Sequence, residues 1–182
     1  NRKTIMKKIS KSTSLKDLAM IVCTCLKQDQ IDAVLTGGAV VSIYSENKYQ
    51  SDDLDFITFA SKKEISNSLD RIGFKETKGR YYIHSESDFI VEFPSGPLSI
   101  GNKPVKKFNE IILKEGYLKL LTPTHCVMDR LAAYYFWNDM QSLDQAILVS
   151  KHHEIDLDEI ETWSIDEDML KRFVNFKLKL NS

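Results

Sequence analysis

The sequence contains no apolar run approaching the roughly 18 residues from which a membrane-spanning helix is read, so no span is expected. It has no internal repeat and no low-complexity stretch, and its composition is not that of a disordered chain. No early apolar stretch with a small-residue cleavage site follows the basic start, so a secretory leader is not expected and the chain is read as cytoplasmic. Cysteine is scarce and odd in number, with three in the chain. Cys23 and Cys25 fall on one helix and Cys126 stands alone, a pattern that suits neither a disulfide framework nor a zinc pair. Three reduced core thiols with no disulfide partner are expected. The four histidines (84, 125, 152 and 153) lack ligand spacing, and His152-His153 reads as a solvated helix end.

What is present is enough for a core. The 182 residues are 42% apolar and 28% charged, which fits one domain, or a core with an appendage. The net charge of −1 hides an asymmetry. Arg2, Lys3, Lys7, Lys8 and Lys11 precede the first acid, whereas the 154–168 segment holds eight acids and no base. Both are read as solvated surfaces. The basic arm offers a polyanion only weak, salt-sensitive attraction.

Hydrophobic period and capping residues divide the chain. A helix should start at Ser14, with Asp17 at the capping-box position and Leu15, Leu18, Val22 and Leu26 inward. Residues 33–36 read as a buried strand closed by Gly37-Gly38, and 39–46 as a short helix. Residues 53–59 alternate as a strand, 62–71 as a helix stopped near Gly73, and 80–84 with 88–93 as a hairpin ended by Pro94. A loop over 96–107 leads to a second hairpin, 108–114 and 117–121. The period then changes from 2 to 3.6. Thr122-Pro123 opens a helix to about 137, and another covers roughly 141–151. Asp156 caps a short acidic helix, and Ser164 with Glu167 forms the capping box of the last one, with Met169, Leu170, Phe173 and Val174 inward. The expected fold class is α/β (α+β): a mixed sheet with flanking helices, then a helical C-terminal part. The expected division is 1–121 and 122–182.

The chemistry concentrates in three stretches: Thr36-Gly37-Gly38, Ser51-Asp52-Asp53-Leu54-Asp55-Phe56 and Val91-Glu92-Phe93. On a strand, Asp53 and Asp55 share a face while Leu54 and Phe56 take the other. Adjacent carboxylates repel and raise each other's pKa unless a cation lies between them, and a hard divalent ion such as Mg²⁺, shared with phosphate oxygens, is the usual solution. If the strand of Glu92 neighbours that of Asp53, three acids converge and can hold one or two metal ions. Gly37-Gly38, between strand and helix, lets backbone N–H groups approach an anion with no Cβ in the way. The competing reading is an edge strand with an acidic polar face, but Leu54, Phe56, Ile57 and Phe59 are too apolar for one.

These motifs resemble those of the nucleotidyltransferase fold shared with DNA polymerase β. Within that superfamily, residues 30–150 are most similar to bacterial nucleotidyltransferase-like proteins related to the toxins of type IV abortive-infection systems. The similarity includes Leu121-Thr122-Pro123 and the helix stretch Asp129-Arg130-Leu131-Ala132-Ala133-Tyr134-Tyr135. It implies that Arg130 reaches the nucleotide or its leaving phosphate. Ser51, two before Asp53, matches a serine of those toxins and is expected with Gly37 and Gly38 at the nucleotide. Tyr49-Gln50 stand where those enzymes often carry a basic residue.

The resemblance implies a Mg²⁺-dependent nucleotidyltransferase with Asp53, Asp55 and Glu92 as catalytic and metal-binding residues. ATP or another nucleoside triphosphate would be the substrate, pyrophosphate would leave, and the acceptor would be a tRNA, a protein or a small molecule. The alternatives are a non-catalytic regulatory or interaction protein of the same fold, as in a toxin–antitoxin pair, and a nucleic-acid-binding module driven by the basic arm. Arg130 has a purely structural reading as an ion pair with Asp129, and Tyr134, Tyr135, Phe136 and Trp137 one as helix packing. Asp139 and Asp144 have no assigned role, with a solvated face favoured for Asp144.

Overall fold

The structure, a computed structural model, describes residues 7–78 and 81–182. Helix α1 (Leu15–Gln28) begins where the Ser14 hydroxyl accepts the Asp17 N–H, and it buries an unbroken run from Leu18 to Leu26. Strand β1 (Ala33–Thr36) is buried throughout and passes directly into α2 (Gly37–Tyr44). Helix α2 therefore starts two residues earlier than the sequence suggests. Thr36 is extended at the N-cap and Gly37, at φ +70°, makes a turn that L-side chains rarely adopt. Strand β2 (Asp53–Thr58) follows, then α3 (Lys62–Asp70), opened by a reciprocal capping box between Ser61 and Glu64.

Strands β3 (Lys75–Glu76), β4 (Tyr81–Ile83) and β5 (Ile90–Glu92) form an antiparallel run. The 80–84 and 88–93 hairpin is present as β4 and β5, Arg80 lies outside the described residues, and β3 is an addition of two exposed residues too short to leave a period. The expected 96–107 loop holds a two-residue ladder, β6 (Ser99–Ile100) with β7 (Lys103–Pro104). Strands β8 (Phe108–Leu113) and β9 (Gly116–Leu121) form the second hairpin.

The principal sheet has the order β3-β4-β5-β2-β1-β9-β8. Strand β2 is interior, parallel to β5 and antiparallel to β1. Its Leu54 and Phe56 are fully buried, as an interior strand demands. Phe59 lies past the end of the strand and is 90% exposed, so it adds nothing to that burial.

Four helices complete the fold: α4 (Pro123–Trp137), α5 (Met140–His152), α6 (Leu157–Asp166) and α7 (Leu170–Leu180). Thr122, Asp139 and Asp156 each cap a helix with a side-chain oxygen. Helices α4 and α5 pack on each other and both pack against α2, while α1 packs against β1, β9 and α3. Trp163 of α6 and Phe173 and Phe176 of α7 join Leu35, Leu54 and Leu120 in one continuous core.

The last helix corrects two expectations. Ser164 is not a cap: it lies inside α6, fully buried, where its hydroxyl donates to Ile160 O at 2.7 Å and meets the Tyr135 hydroxyl at 2.9 Å. Glu167 ends α6, and its carboxylate accepts the Asn102 side-chain amide at 3.0 Å. The break falls at Asp168, in the left-handed region at φ 59°, and α7 starts with no side-chain cap. Leu170 and Val174 face out, at 42% and 46% exposure, while Phe173 and Phe176 make the inward stripe.

Cys23, Cys25 and Cys126 are buried free thiols, and burial pushes the Cys23 thiol up to about 11. His153 is not solvated: it bonds Tyr44 O at 2.7 Å and stands edge-on to the Tyr44 ring. His152 is exposed.

Candidate active site

Sheet register assembles the carboxylates. Asp55 lies between Thr36 of β1 and Glu92 of β5, and Asp53 pairs with Ile90. Because side chains alternate along a strand, Asp53, Asp55 and Glu92 emerge on one face. One carboxylate oxygen from each lies within 4.8 Å of the others, and all three side chains are half-buried. Among the described residues no other group of His, Cys, Asp and Glu is placed to hold a metal ion.

Crowding has an electrostatic consequence. Asp55 is pushed up to about 6, first by burial and then by the charges of Asp53 and Glu92, against a lowering pull from Arg130. Such a site resists taking a third negative charge and favours a cation. Oxygen-only donors at this spacing fit a hard divalent ion such as Mg²⁺.

The glycine turn sits against these acids. A Cβ on Gly37 would lie 2.8 Å from Asp55 Oδ2, and one on Gly38 would lie 3.1 Å from Ser51 Oγ and 3.3 Å from the Tyr49 ring. Gly37 is therefore required by close approach as well as by the turn, whereas Gly38, with an ordinary φ, is favoured by close approach alone. Thr36 Oγ1 donates to Asp55 O at 3.2 Å and ties the turn to β2. Ser51 is only 3% exposed, and its hydroxyl donates to Asp53 Oδ1 at 2.9 Å. Tyr49, in place of a basic residue, packs against the core beside Gly38.

Arg130, on α4, comes from the helical half. Its guanidinium grips Asp129 Oδ2 through Nη2 at 2.6 Å and Nε at 3.1 Å, and Nη1 lies 3.4 Å from Gln145 Oε1. Only 18% of its side chain is exposed. Burial alone would lower its pKa, but the Asp129 carboxylate outweighs this and holds the guanidinium charged. The Asp129 ion pair of the purely structural reading is thus present, though largely buried rather than at the surface, and the same cation is near enough to stabilise ionised Asp55.

Gln145 is the residue that pattern reading missed. Its signal was a polar side chain on the buried stripe of α5, between Ser142 and Val149. Asp139 is taken up by capping: it accepts Gln141 N–H, Ser142 N–H and the Ser142 hydroxyl. Asp144 is exposed, as are Phe136 and Trp137, whereas Tyr134 and Tyr135 are packed. Within the basic arm, Lys7 pairs with Asp17 and Lys11 with Asp88, while Arg2 and Lys3 lie outside the described residues. A cavity of about 430 Å³ lined by Phe59, Ile65, Tyr82 and Phe93 contains none of the three acids.

No protein-family profile and no curated protein matches the sequence. Solved structures do match the fold. An antigenic nucleotidyltransferase-like protein from Paracoccidioides brasiliensis is 13% identical, with a TM-score of 0.50 over 90% of this chain and 94% of that one. ANT(2'')-Ia, solved in complex with adenylyl-2''-tobramycin, is 11% identical, with a TM-score of 0.51 over 92% of this chain and 99% of that one. At these identities the likeness is one of fold, and the mixed sheet carrying a turn of two glycines and a carboxylate pair on its interior strand is a nucleotidyltransferase fold.

Proposed function

We propose that this chain is a Mg²⁺-dependent nucleotidyltransferase that moves a nucleoside monophosphate from a triphosphate to an acceptor. The observation that carries the reading is the convergence of Asp53, Asp55 and Glu92 within 4.8 Å, with Asp55 pushed up to about 6. Asp53, Asp55 and Glu92 would hold a divalent ion, which would neutralise charge on the triphosphate and lower the pKa of an attacking hydroxyl.

The chain's own groups do the rest. The acceptor oxygen forms a bond to the α-phosphorus, the bond from that phosphorus to the β-phosphate oxygen breaks, and pyrophosphate leaves. Glu92, on the strand beside that of the two aspartates, is the acid assigned to take the acceptor proton. The N–H groups at the first turn of α2 would meet the phosphates, helped by the positive end of that helix. Arg130 would turn from Asp129 to phosphate oxygens, which its planar fork suits. Positioning and charge stabilisation supply most of the catalysis.

Incubation with each α-labelled triphosphate, Mg²⁺ and a cell extract tests the reading. Label should pass to a tRNA, protein or small-molecule fraction, and Asp53→Asn should abolish it. ANT(2'')-Ia supports including small molecules, since its complex holds an adenylylated tobramycin.

A second reading, a non-catalytic regulator of the same fold, draws on the engagement of Arg130 by Asp129 and Gln145. Mg²⁺-dependent triphosphate binding separates the two, and its absence favours the regulator, for instance in a toxin–antitoxin pair.

A further inference from the structure

Behind the carboxylates lie two buried serines that sequence patterns do not link. Ser42 is fully buried on α2 and Ser51 is 3% exposed in the segment leading into β2. The Ser51 hydroxyl has its donor aimed at Asp53, with Oδ1 at 2.9 Å and the backbone O at 3.1 Å. The Ser51 N–H donates to Ser42 Oγ at 2.8 Å, and Ser42 Oγ donates in turn to Gly38 O at 3.3 Å. Ser42 thus accepts with a lone pair and donates with its proton, which orients its hydroxyl without conflict. The chain of bonds starts in the glycine turn and ends on a carboxylate oxygen.

Its geometry allows little slack. A Cβ on Gly38 would lie 3.1 Å from Ser51 Oγ, so the glycine leaves just enough room for the serine. A hydroxyl directed at an anionic oxygen is a charge-assisted bond, stronger than a neutral one and selective for the ionised carboxylate. A carboxylate otherwise turns easily about its last torsion, and at Asp53 the bond to Oδ1 removes that freedom. What Asp53 offers to the space shared with Asp55 and Glu92 is then set before any cation arrives.

We propose that Ser51, held by Ser42, is a positioning residue for Asp53, preorganising the carboxylate cluster to take a divalent cation. This rests on the reading of Asp53, Asp55 and Glu92 as a cation site. It also moves Ser51 one step back from the nucleotide, where the sequence resemblance placed it: its hydroxyl is already used and is scarcely exposed.

The test uses Mn²⁺ as the probe on the whole chain without nucleotide, with free Mn²⁺ followed by electron paramagnetic resonance. Wild type should bind Mn²⁺. Ser51→Ala should bind it about tenfold more weakly, equivalent to about 1.4 kcal/mol, while still unfolding in one cooperative transition. Ser51→Cys keeps the shape but donates poorly, so it should be weakened similarly, and it decides the matter if the alanine variant does not fold. Ser42→Ala should show a smaller loss. No Mn²⁺ binding by wild type would remove the cation-site reading itself. Binding by wild type and by both Ser51 variants with equal affinity would overturn the positioning role and leave the cation site standing. Unchanged Mn²⁺ affinity with weakened triphosphate affinity at saturating Mn²⁺ would also overturn it, because Ser51 would then contact the nucleotide.

Discussion

Asp55 carries an electrostatic cost in the metal-free chain. Burial and the neighbouring Asp53 and Glu92 raise it from the usual carboxylate range to about 6. In the unfolded chain it ionises near 3.9. Between these values the unfolded state holds fewer protons than the folded one, so stability falls as pH rises. The metal-free chain should therefore lose about 1–3 kcal/mol between about pH 4 and pH 6, and Asp55→Asn should flatten that part of the profile. Denaturant titrations across the range check it, and a slope that is unaltered in the variant would contradict it. For the same reason Asp53→Asn and Asp55→Asn should abolish transfer yet leave the metal-free melting temperature unchanged or raised. A large drop would mean that the negative charge of these acids supports the fold. Arg130→Ala should weaken triphosphate binding or turnover by about 1.5–3 kcal/mol, with Arg130→Lys recovering part, because a lysine cannot fork. Nucleotide affinity measured beside the melting temperature separates a phosphate contact from the Asp129 pair: a lowered melting temperature with intact affinity leaves Arg130 as scaffold.

The junction of β1 with α2 shows how an element places a site. Four buried residues run straight into Gly37 at φ +70°, and the first turn of the helix lies against Asp55. Gly37→Ala meets two penalties, a strained backbone of about 1–3 kcal/mol and a Cβ 2.8 Å from Asp55 Oδ2. The variant should fold less stably and bind Mn²⁺ less well, as calorimetry and titration would show. Normal metal affinity would mean that the turn yields without moving the carboxylate. The glycine pair and the alternation of 53–58 were legible because each leaves a local mark. The two-residue strands β3, β6 and β7 left none, since a period needs more residues than they have.

Across the whole molecule, the helical half is built into the core of the α/β half. The Trp163 indole N–H donates to Ile100 O at 3.1 Å, its ring stacks on Tyr135, and the same core runs from Leu15 of α1 to Phe176 of α7. The expected division at residue 122 is then a change of structural type within a cooperative unit, and this is a proposal to be tested. Trp163→Ala should cost about 3–5 kcal/mol, and the wild-type chain should unfold in a single calorimetric transition. Two resolved transitions would show that 1–121 and 122–182 are separately stable.

Local chemistry in the sequence determined most of the helices, both hairpins, the buried thiols and the pairing of Asp53 with Asp55 on one face, because period and capping act over a few residues. Tertiary structure decided that β5 lies parallel beside β2 and carries Glu92 to Asp55, since strand order depends on contacts between segments far apart in the chain. It also decided the fate of the ambiguous polar residues. Ser164 reads as a cap by spacing but is a buried hydroxyl, because Tyr135 and the Ile160 carbonyl offer it partners. Ser51 and Ser42 carry no mark of their connection, and Gln145 meets Arg130 only because α5 packs on α4. Hydrogen bonds between side chains distant in sequence have no period to betray them, so only the folded chain could show which polar groups stand behind the carboxylates.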